Sequence, residues 1–108
     1  MENYFNKSEI INLSQSVQYN SGAIVSKIIS KNTAGNISLF AFDKGQSLSE
    51  HTAPFDAFVY IVDGKAEIRI DGKPFVCNPG EMIIMPANVP HSVHATEQFK
   101  MLLIMLKA

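Results

Sequence analysis

Short apolar segments, each followed directly by a turn signal, recur along this chain of 108 residues. Residues 57–62 end at Asp63-Gly64, and residues 66–70 end at Asp71-Gly72. Asp-Gly is favoured in tight hairpins because both central positions need a positive φ, which glycine adopts freely. The recurrence predicts about eight to ten short strands, joined as an antiparallel meander within a β-sandwich or barrel.

Two segments indicate how such strands would be covered. Residues 65–70 alternate charged and apolar side chains, which predicts one solvent-facing and one packed face. Residues 99–106 are almost entirely apolar, so this strand needs cover on both faces. One face would meet the barrel interior, and the other would meet either a partner subunit or a second sheet of the same monomer. A short N-terminal turn within residues 6–13 is the main helical signal, so the predicted fold class is all-β.

The composition fits one folded domain. Apolar residues make up 46% of the chain and charged residues 18%, which is enough apolar surface for a core and argues against disorder. We expect residues 1–22 to form an N-terminal arm and residues 23–106 to form the barrel. Cys77 is the single cysteine, and without a CxxC pair or a basic flank it is interpreted as a small buried side chain rather than a reactive thiol.

Charge and hydropathy limit the partners and the location. The net charge is −1 and no block of lysine or arginine occurs, which argues against nucleic acid and anionic membranes as main partners. The longest apolar run, residues 101–106, is far too short to cross a bilayer. The first residues, MENYFNKSE, lack the basic-then-apolar layout of a signal peptide, so a cytoplasmic location is expected.

Two stretches carry the candidate functional residues. Residues 45–64 (GQSLSEHTAPFDAFVYIVDG) and 80–95 (GEMIIMPANVPHSVHA) each place a histidine at a fixed distance from glycine and proline. In a small barrel, the groups that form an interior site come from different strands and point inward. We therefore expect His51 and His91 to converge on the interior from facing strands. His94 lies three residues after His91, so regular alternation places it on the opposite face.

The first stretch resembles the first motif of the cupin family. In that motif a glycine is followed by two closely spaced histidines, a glutamate and a second glycine. Gly45, His51 and Gly64 stand at matching positions, whereas Ala53 replaces the second histidine and Ala57 replaces the glutamate. Two of the three expected polar side chains are therefore missing from this motif.

The second stretch resembles the second cupin motif, which contains glycine, proline, glycine, histidine and asparagine. Gly80, Pro86 and His91 match, whereas Asn88 replaces the second glycine and Ala95 replaces the asparagine. Asn88 is a mild change because asparagine tolerates positive φ better than other non-glycine residues.

The resemblance covers residues 45–95, about half of the chain. It implies a small single-domain cupin of the conserved-barrel type, which is an antiparallel jelly-roll barrel (a double-stranded β-helix) with little helix. A homodimer is the expected assembly, because a chain this small has little else with which to cover the second apolar face of residues 99–106.

The resemblance also raises the question of a metal. Cupins that use Fe, Mn, Zn or Ni typically hold it with three histidines and one glutamate, of which His51 and His91 remain. Two imidazoles alone hold one divalent metal only weakly. Asp56 or Glu50 would complete a set of three ligands only if a bulge near Pro54 re-aimed its side chain.

The expected pocket is apolar with two histidines. Its predicted lining, from the motif positions and the period of two, consists of His51, Ala53, Ala57, Val59, Ile61, His91, Val93 and Ala95. Because alanines replace two polar ligands, we expect a larger and more apolar cavity. Further wall candidates, whose phase the sequence does not determine, are Phe40 or Phe42, Met101, Leu103 and Met105.

Three functions fit this pocket. The first is a binding module that holds a small molecule, together with a weakly held divalent metal. The second is a metal-dependent cupin enzyme of the dioxygenase or isomerase type acting on a small organic substrate. The third is metal-free acid–base catalysis by His51 or His91, although Tyr60, a candidate partner acid, should face outward. Fold alone does not choose among them.

Overall fold

A computed structural model describes residues 5–107, which form nine strands and one short 3-10 turn. The strands are β1 (Ile24–Asn32), β2 (Gly35–Phe42), β3 (Ser47–His51), β4 (Phe55–Gly64), β5 (Ala66–Ile70), β6 (Lys73–Cys77), β7 (Met82–Met85), β8 (His91–His94) and β9 (Phe99–Lys107). Apart from the turn at Leu13–Gln15, the described part of the chain contains no helix, and so none that could span a membrane.

The strands form two antiparallel sheets that enclose one core. The larger sheet has the order β1-β2-β9-β4-β7, and the smaller sheet has the order β3-β8-β5-β6. The chain changes sheet between β2 and β3, again between β3 and β4, and again between β4 and β5. This wrapping is that of an antiparallel jelly-roll barrel. The predicted all-β fold class is confirmed.

The core lies between the two sheets and consists of the inward-facing residues of both. Phe42 and Phe99 are register partners on β2 and β9, and their rings stack with centroids 4.5 Å apart. They belong to the same buried cluster as Val59 of the larger sheet and Ile68 of the smaller sheet. The strict period of two along β4 and β5 is therefore the result of one face packing against the opposite sheet.

The described part of the N-terminal arm, residues 5–22, covers part of the outer face of the larger sheet. Val17 is fully buried against Leu39 of β2, with Leu102 of β9 packed beside them. Lys100, also on this outer face, is buried, and its Nζ donates a hydrogen bond to the carbonyl oxygen of Ser14 at 2.5 Å. The arm therefore supplies the outer cover that the first half of β9 requires.

An apolar part of this outer face is left uncovered by the described residues. We call it the outer patch, and it consists of Phe58, Tyr60, Met82, Ile84, Ile104 and Leu106. Met82 and Ile84 are each 51% exposed and Leu106 is 47% exposed. The second half of β9 thus has its inner face against the core and its outer face open.

The two Asp-Gly pairs have different roles. Asp71 and Gly72 both have positive φ (51° and 78°) and join β5 to β6 in a two-residue hairpin, as predicted. The prediction of a second hairpin at Asp63-Gly64 is wrong. Both residues remain paired with β9, and the chain then crosses to the other sheet instead of turning back. Gly64 is required there because its backbone lies directly against that of Gln98.

Cys77 is a free, buried thiol at the end of β6 and belongs to the main core cluster. Burial raises the pKa of this thiol, and the nearby carboxylate of Glu81 raises it further. A thiol with a raised pKa carries little thiolate at neutral pH and reacts slowly. The geometry agrees with the interpretation of Cys77 as a packing residue.

Candidate functional site

The site is built around a pair of histidines on neighbouring strands. His51, the last residue of β3, is the register partner of His91, the first residue of β8. The two Nε2 atoms lie 3.2 Å apart, and the rings meet edge to face with centroids 4.4 Å apart. The two side chains therefore converge, but the expectation that they come from facing strands is wrong. The jelly-roll wrapping places β3 beside β8 in one sheet, so distance along the chain did not indicate which strands are neighbours.

Backbone carbonyl groups determine which nitrogen of each ring carries the hydrogen. Nδ1 of His51 lies 2.8 Å from the carbonyl oxygen of Ser49, and Nδ1 of His91 lies 3.1 Å from that of Val89. A carbonyl oxygen only accepts, so each Nδ1 is the donor and each neutral ring has its lone pair on Nε2. The two lone pairs point at the same place. Two acceptors at 3.2 Å repel each other unless an electron-poor group, such as a proton, a donor or a cation, lies between them.

The two imidazoles differ in their access to solvent. His91 is 4% exposed, whereas His51 is exposed at the end of its strand. Burial lowers the pKa of His91, and the charge on His51 lowers it further, while the bond to the Val89 carbonyl acts in the opposite direction. At neutral pH His91 is therefore a neutral imidazole whose Nε2 lone pair is free to bind. His51 is the side of the pair that solvent reaches.

A small internal cavity lies next to the pair. It has a volume of about 50 Å³ and is lined by Leu48, His51, Ala53, Ala57, Met85, His91, Val93, Met101, Leu103 and Met105. Of the predicted pocket residues, five are on this wall: His51, Ala53, Ala57, His91 and Val93. The other three, Val59, Ile61 and Ala95, are buried in the core cluster and are not among the lining residues.

The cavity is smaller than the loss of two polar ligands led us to expect. Ala57 is the register partner of Met85 on one side and of Met105 on the other. Both methionines also line the cavity, so its wall beside Ala57 consists of long, flexible side chains. Met85 and Leu48 were missed as wall residues because their inclusion depends on strand register, which alternation within one segment does not reveal.

The loop before β8 holds the second histidine in place. Asn88 has φ = 64°, the left-handed conformation predicted from its replacement of a glycine. Its N–H donates to the carbonyl oxygen of Ala53 at 2.8 Å, and the N–H of Ala87 donates to Oδ1 of Asp56 at 2.9 Å. The carboxylate of Asp56 is thus used to bind this loop and is not aimed at the histidines. Glu50 is exposed and does not line the cavity.

The donor set does not fit a tight site for a divalent metal. Residues 5–107 contain no group of three or more His, Cys, Asp or Glu side chains that could hold one ion. The histidine pair is complete, but the expected third histidine and glutamate are Ala53 and Ala57. Catalytic zinc uses three protein ligands, and non-haem iron uses two histidines with a carboxylate. The histidine pair alone supplies two of the three protein ligands that either metal needs.

His94 has no part in the pair. It faces away from the cavity, as its spacing from His91 predicts, and its Nε2 lies 2.9 Å from Oγ of Ser92 on the same strand. Since residues two apart share a face of a strand, this bond belongs to the outer surface of the smaller sheet. His94 therefore serves as an internal comparison for the two cavity histidines.

The lowered pKa of His91 predicts how stability varies with pH. Between its folded pKa and its ordinary value of about 6.5, the unfolded chain binds a proton at His91 that the folded chain does not. The metal-free protein should therefore lose stability as the pH falls below about 6.5. Urea unfolding between pH 8 and pH 5.5 measures the free energy of unfolding at each pH. The variant His91→Phe is expected to show a weaker dependence of this free energy on pH. His94→Gln is the matched control and should keep the slope; an unchanged slope in His91→Phe would contradict the assignment.

A two-sheet antiparallel barrel with paired histidines beside an interior cavity defines a class of small β-barrel proteins with an internal site. Residues 38–106 match the family described as Cupin domain, and the chain belongs to this family. The match includes both histidines of the pair.

Solved structures with the same fold support this assignment. The chain is 35% identical to a conserved protein of unknown function from Streptococcus pyogenes, with a TM-score of 0.93 over 98% of this chain and 93% of that one. It is 45% identical to a cupin 2 conserved barrel domain protein from Leptotrichia buccalis, with a TM-score of 0.87 over 90% of this chain. A curated relative, the polyketide synthase CurC of Streptomyces cyaneus, is 32% identical over 60 residues, or 55% of this chain. The matched region is 47% of the Leptotrichia protein and 39% of CurC, so both are much longer than the aligned segment.

Proposed function

We propose that this protein is a small-ligand binding module whose barrel holds its ligand against His51 and His91. The observation that carries the proposal is the pair of Nε2 atoms, 3.2 Å apart, each left as an acceptor by the bond that its Nδ1 makes to a backbone carbonyl. Two converging acceptors in a largely apolar cavity form a site for one electron-poor group.

The size of the cavity limits the ligand. A volume of about 50 Å³ is well below the 300–1,000 Å³ of ordinary small-molecule pockets, so the part of the ligand that enters it is a single ion or a group of a few atoms. Entry is from the His51 side because His51 is exposed and His91 is buried. The methionines on the wall are the side chains that would move for a larger ligand.

The donor set argues against the metal-dependent enzyme as the main function. Two imidazoles without a third histidine or a carboxylate would hold Fe, Mn, Zn or Ni weakly, and Asp56 is bound to the Ala87 amide. Metal-free acid–base catalysis also lacks support, because Tyr60 belongs to the outer patch and does not line the cavity. Binding is the function that these residues support best.

Two probes of different chemistry test the proposal. Methylammonium offers N–H donors and one methyl group, and Zn²⁺ offers an empty coordination site. In ¹⁵N-labelled protein both probes should shift the Nε2 resonances of His51 and His91. In the variant His91→Phe, neither probe should shift the Nε2 resonance of His51. The Nε2 resonance of His94 is the internal control. We expect a Kd for Zn²⁺ weaker than about 1 µM; stoichiometric binding in the nanomolar range would favour the enzyme, and no shift with either probe would overturn the proposal.

We also propose that two copies of the chain pair through the outer patch. Three of its apolar side chains, Met82, Ile84 and Leu106, are about half exposed on one continuous part of the sheet. Contiguous exposed apolar surface of this kind is typical of an interface. The arm covers the neighbouring part of the same face, which leaves the patch with a defined boundary.

A further inference from the structure

The side chains that replace the expected polar ligands are chemically informative. Ala57 stands where a glutamate is expected, and both of its cross-strand neighbours, Met85 and Met105, are methionines. Met101 also lines the cavity. The residues that line this site therefore include two histidines and three methionines.

These donors have a definite metal preference. Neither a carboxylate nor the thiol of Cys77 is among the described residues that line the cavity. Carboxylate and water ligands suit Mg, Ca and Mn, whereas thioether sulfur is a soft ligand that selects Cu(I), and imidazole also suits copper. Cu(I) accepts low coordination numbers, so it does not need the third histidine and the glutamate that this chain lacks.

We propose that the cavity binds one Cu(I) ion through Nε2 of His51 and Nε2 of His91, with a thioether of Met85 or Met105 as the third ligand. This inference rests on the proposed binding function and names its ligand. Both imidazoles are already held with their lone pairs on Nε2, so binding requires no change of tautomer.

Access and size agree with this assignment. His51 is exposed and provides the entry path, while His91 and Met85 are only 4% and 3% exposed. A cavity of about 50 Å³ admits one ion without a full shell of water. An ion that prefers several bound waters, such as Mg²⁺, would lose them on entry. Cu(I) would instead exchange the ligand that it carries in solution for imidazole nitrogen and thioether sulfur, which suit it.

The test is an anaerobic titration of the purified protein with Cu(I), in competition with the chromophoric chelator bathocuproine disulfonate. The wild type should bind one equivalent, and His91→Phe should weaken binding at least about 100-fold because a ligand is removed. The double variant Met85→Leu/Met105→Leu conserves side-chain volume and should weaken Cu(I) binding at least about tenfold. Its response to Zn²⁺ should remain that of the wild type.

Met82→Leu is the matched control, since Met82 lies on the same strand as Met85 but is exposed on the outer patch. It should leave Cu(I) affinity unchanged. X-ray absorption of the loaded protein should show a sulfur neighbour of copper that the double variant lacks.

The outcomes separate this inference from the function on which it rests. If Cu(I) fails to bind while methylammonium or Zn²⁺ still shifts the histidine resonances, the copper assignment is wrong and the binding site stands. If the double variant binds Cu(I) as tightly as the wild type, the thioether ligand is wrong. If none of the three probes reaches the pair, both proposals fail.

Discussion

Replacing Gly64 with alanine is expected to lower the free energy of unfolding by more than about 3 kcal/mol, or to prevent folding. A Cβ at this position would overlap the carbonyl oxygen of Gln98 and would lie 2.7 Å from the Cα of Phe99. Both are backbone atoms where the chain enters β9, so no flexible side chain can move aside. The residue also has φ = 74°, which L side chains rarely adopt.

The variant Gly72→Ala separates the cost of the backbone overlap from the cost of the positive φ. Gly72 has φ = 78°, nearly that of Gly64, but nothing lies within 4 Å of the position that its Cβ would take. Its substitution should cost about 1–2 kcal/mol from conformation alone. Urea unfolding of the two variants and the wild type measures the difference. Equal costs would contradict the close approach of the Gly64 and Gln98 backbones.

Replacing Ile84 with lysine is expected to raise the dissociation constant of the proposed dimer at least about 100-fold. Ile84 is 51% exposed, lies on the edge strand β7 and is the register partner of Phe58 in the outer patch. In a symmetric pair the same surface of both copies forms the interface, so the substitution places two charges in an apolar contact. Sedimentation over a range of protein concentrations measures the dissociation constant.

Val76→Lys is the control for this experiment. Val76 is 58% exposed but lies on β6 of the smaller sheet, so its substitution introduces the same charge elsewhere. It should leave the assembly unchanged. A wild-type protein that stays monomeric at high concentration, or an Ile84→Lys variant that pairs normally, would contradict the interface.

Features that depend on short segments could be predicted from the sequence. The alternation along residues 66–70 marked Ala66 and Ile68 as buried, and both are fully buried. Asn88 in place of a glycine indicated a positive φ, which the structure has. These predictions succeeded because the period of a strand and the φ preference of a residue are local properties.

Features that depend on which strands are neighbours could not be predicted in the same way. His51 and His91 pair within one sheet because β3 and β8 are neighbours there. Asp63-Gly64 has the composition of a hairpin, yet its pairing with β9 takes precedence over local turn preference. Placing Met85 beside Ala57 likewise requires the register between β4 and β7, which is set by the whole barrel.

Binding at this site requires two converging Nε2 lone pairs, so the protonation state of His51 and His91 is the deciding measurement. Two-bond ¹H–¹⁵N correlation spectra of the metal-free protein at pH 8 distinguish the two tautomers of each ring. We expect hydrogen on Nδ1 and an unprotonated Nε2 in both residues. Hydrogen on Nε2 of either ring would contradict this expectation.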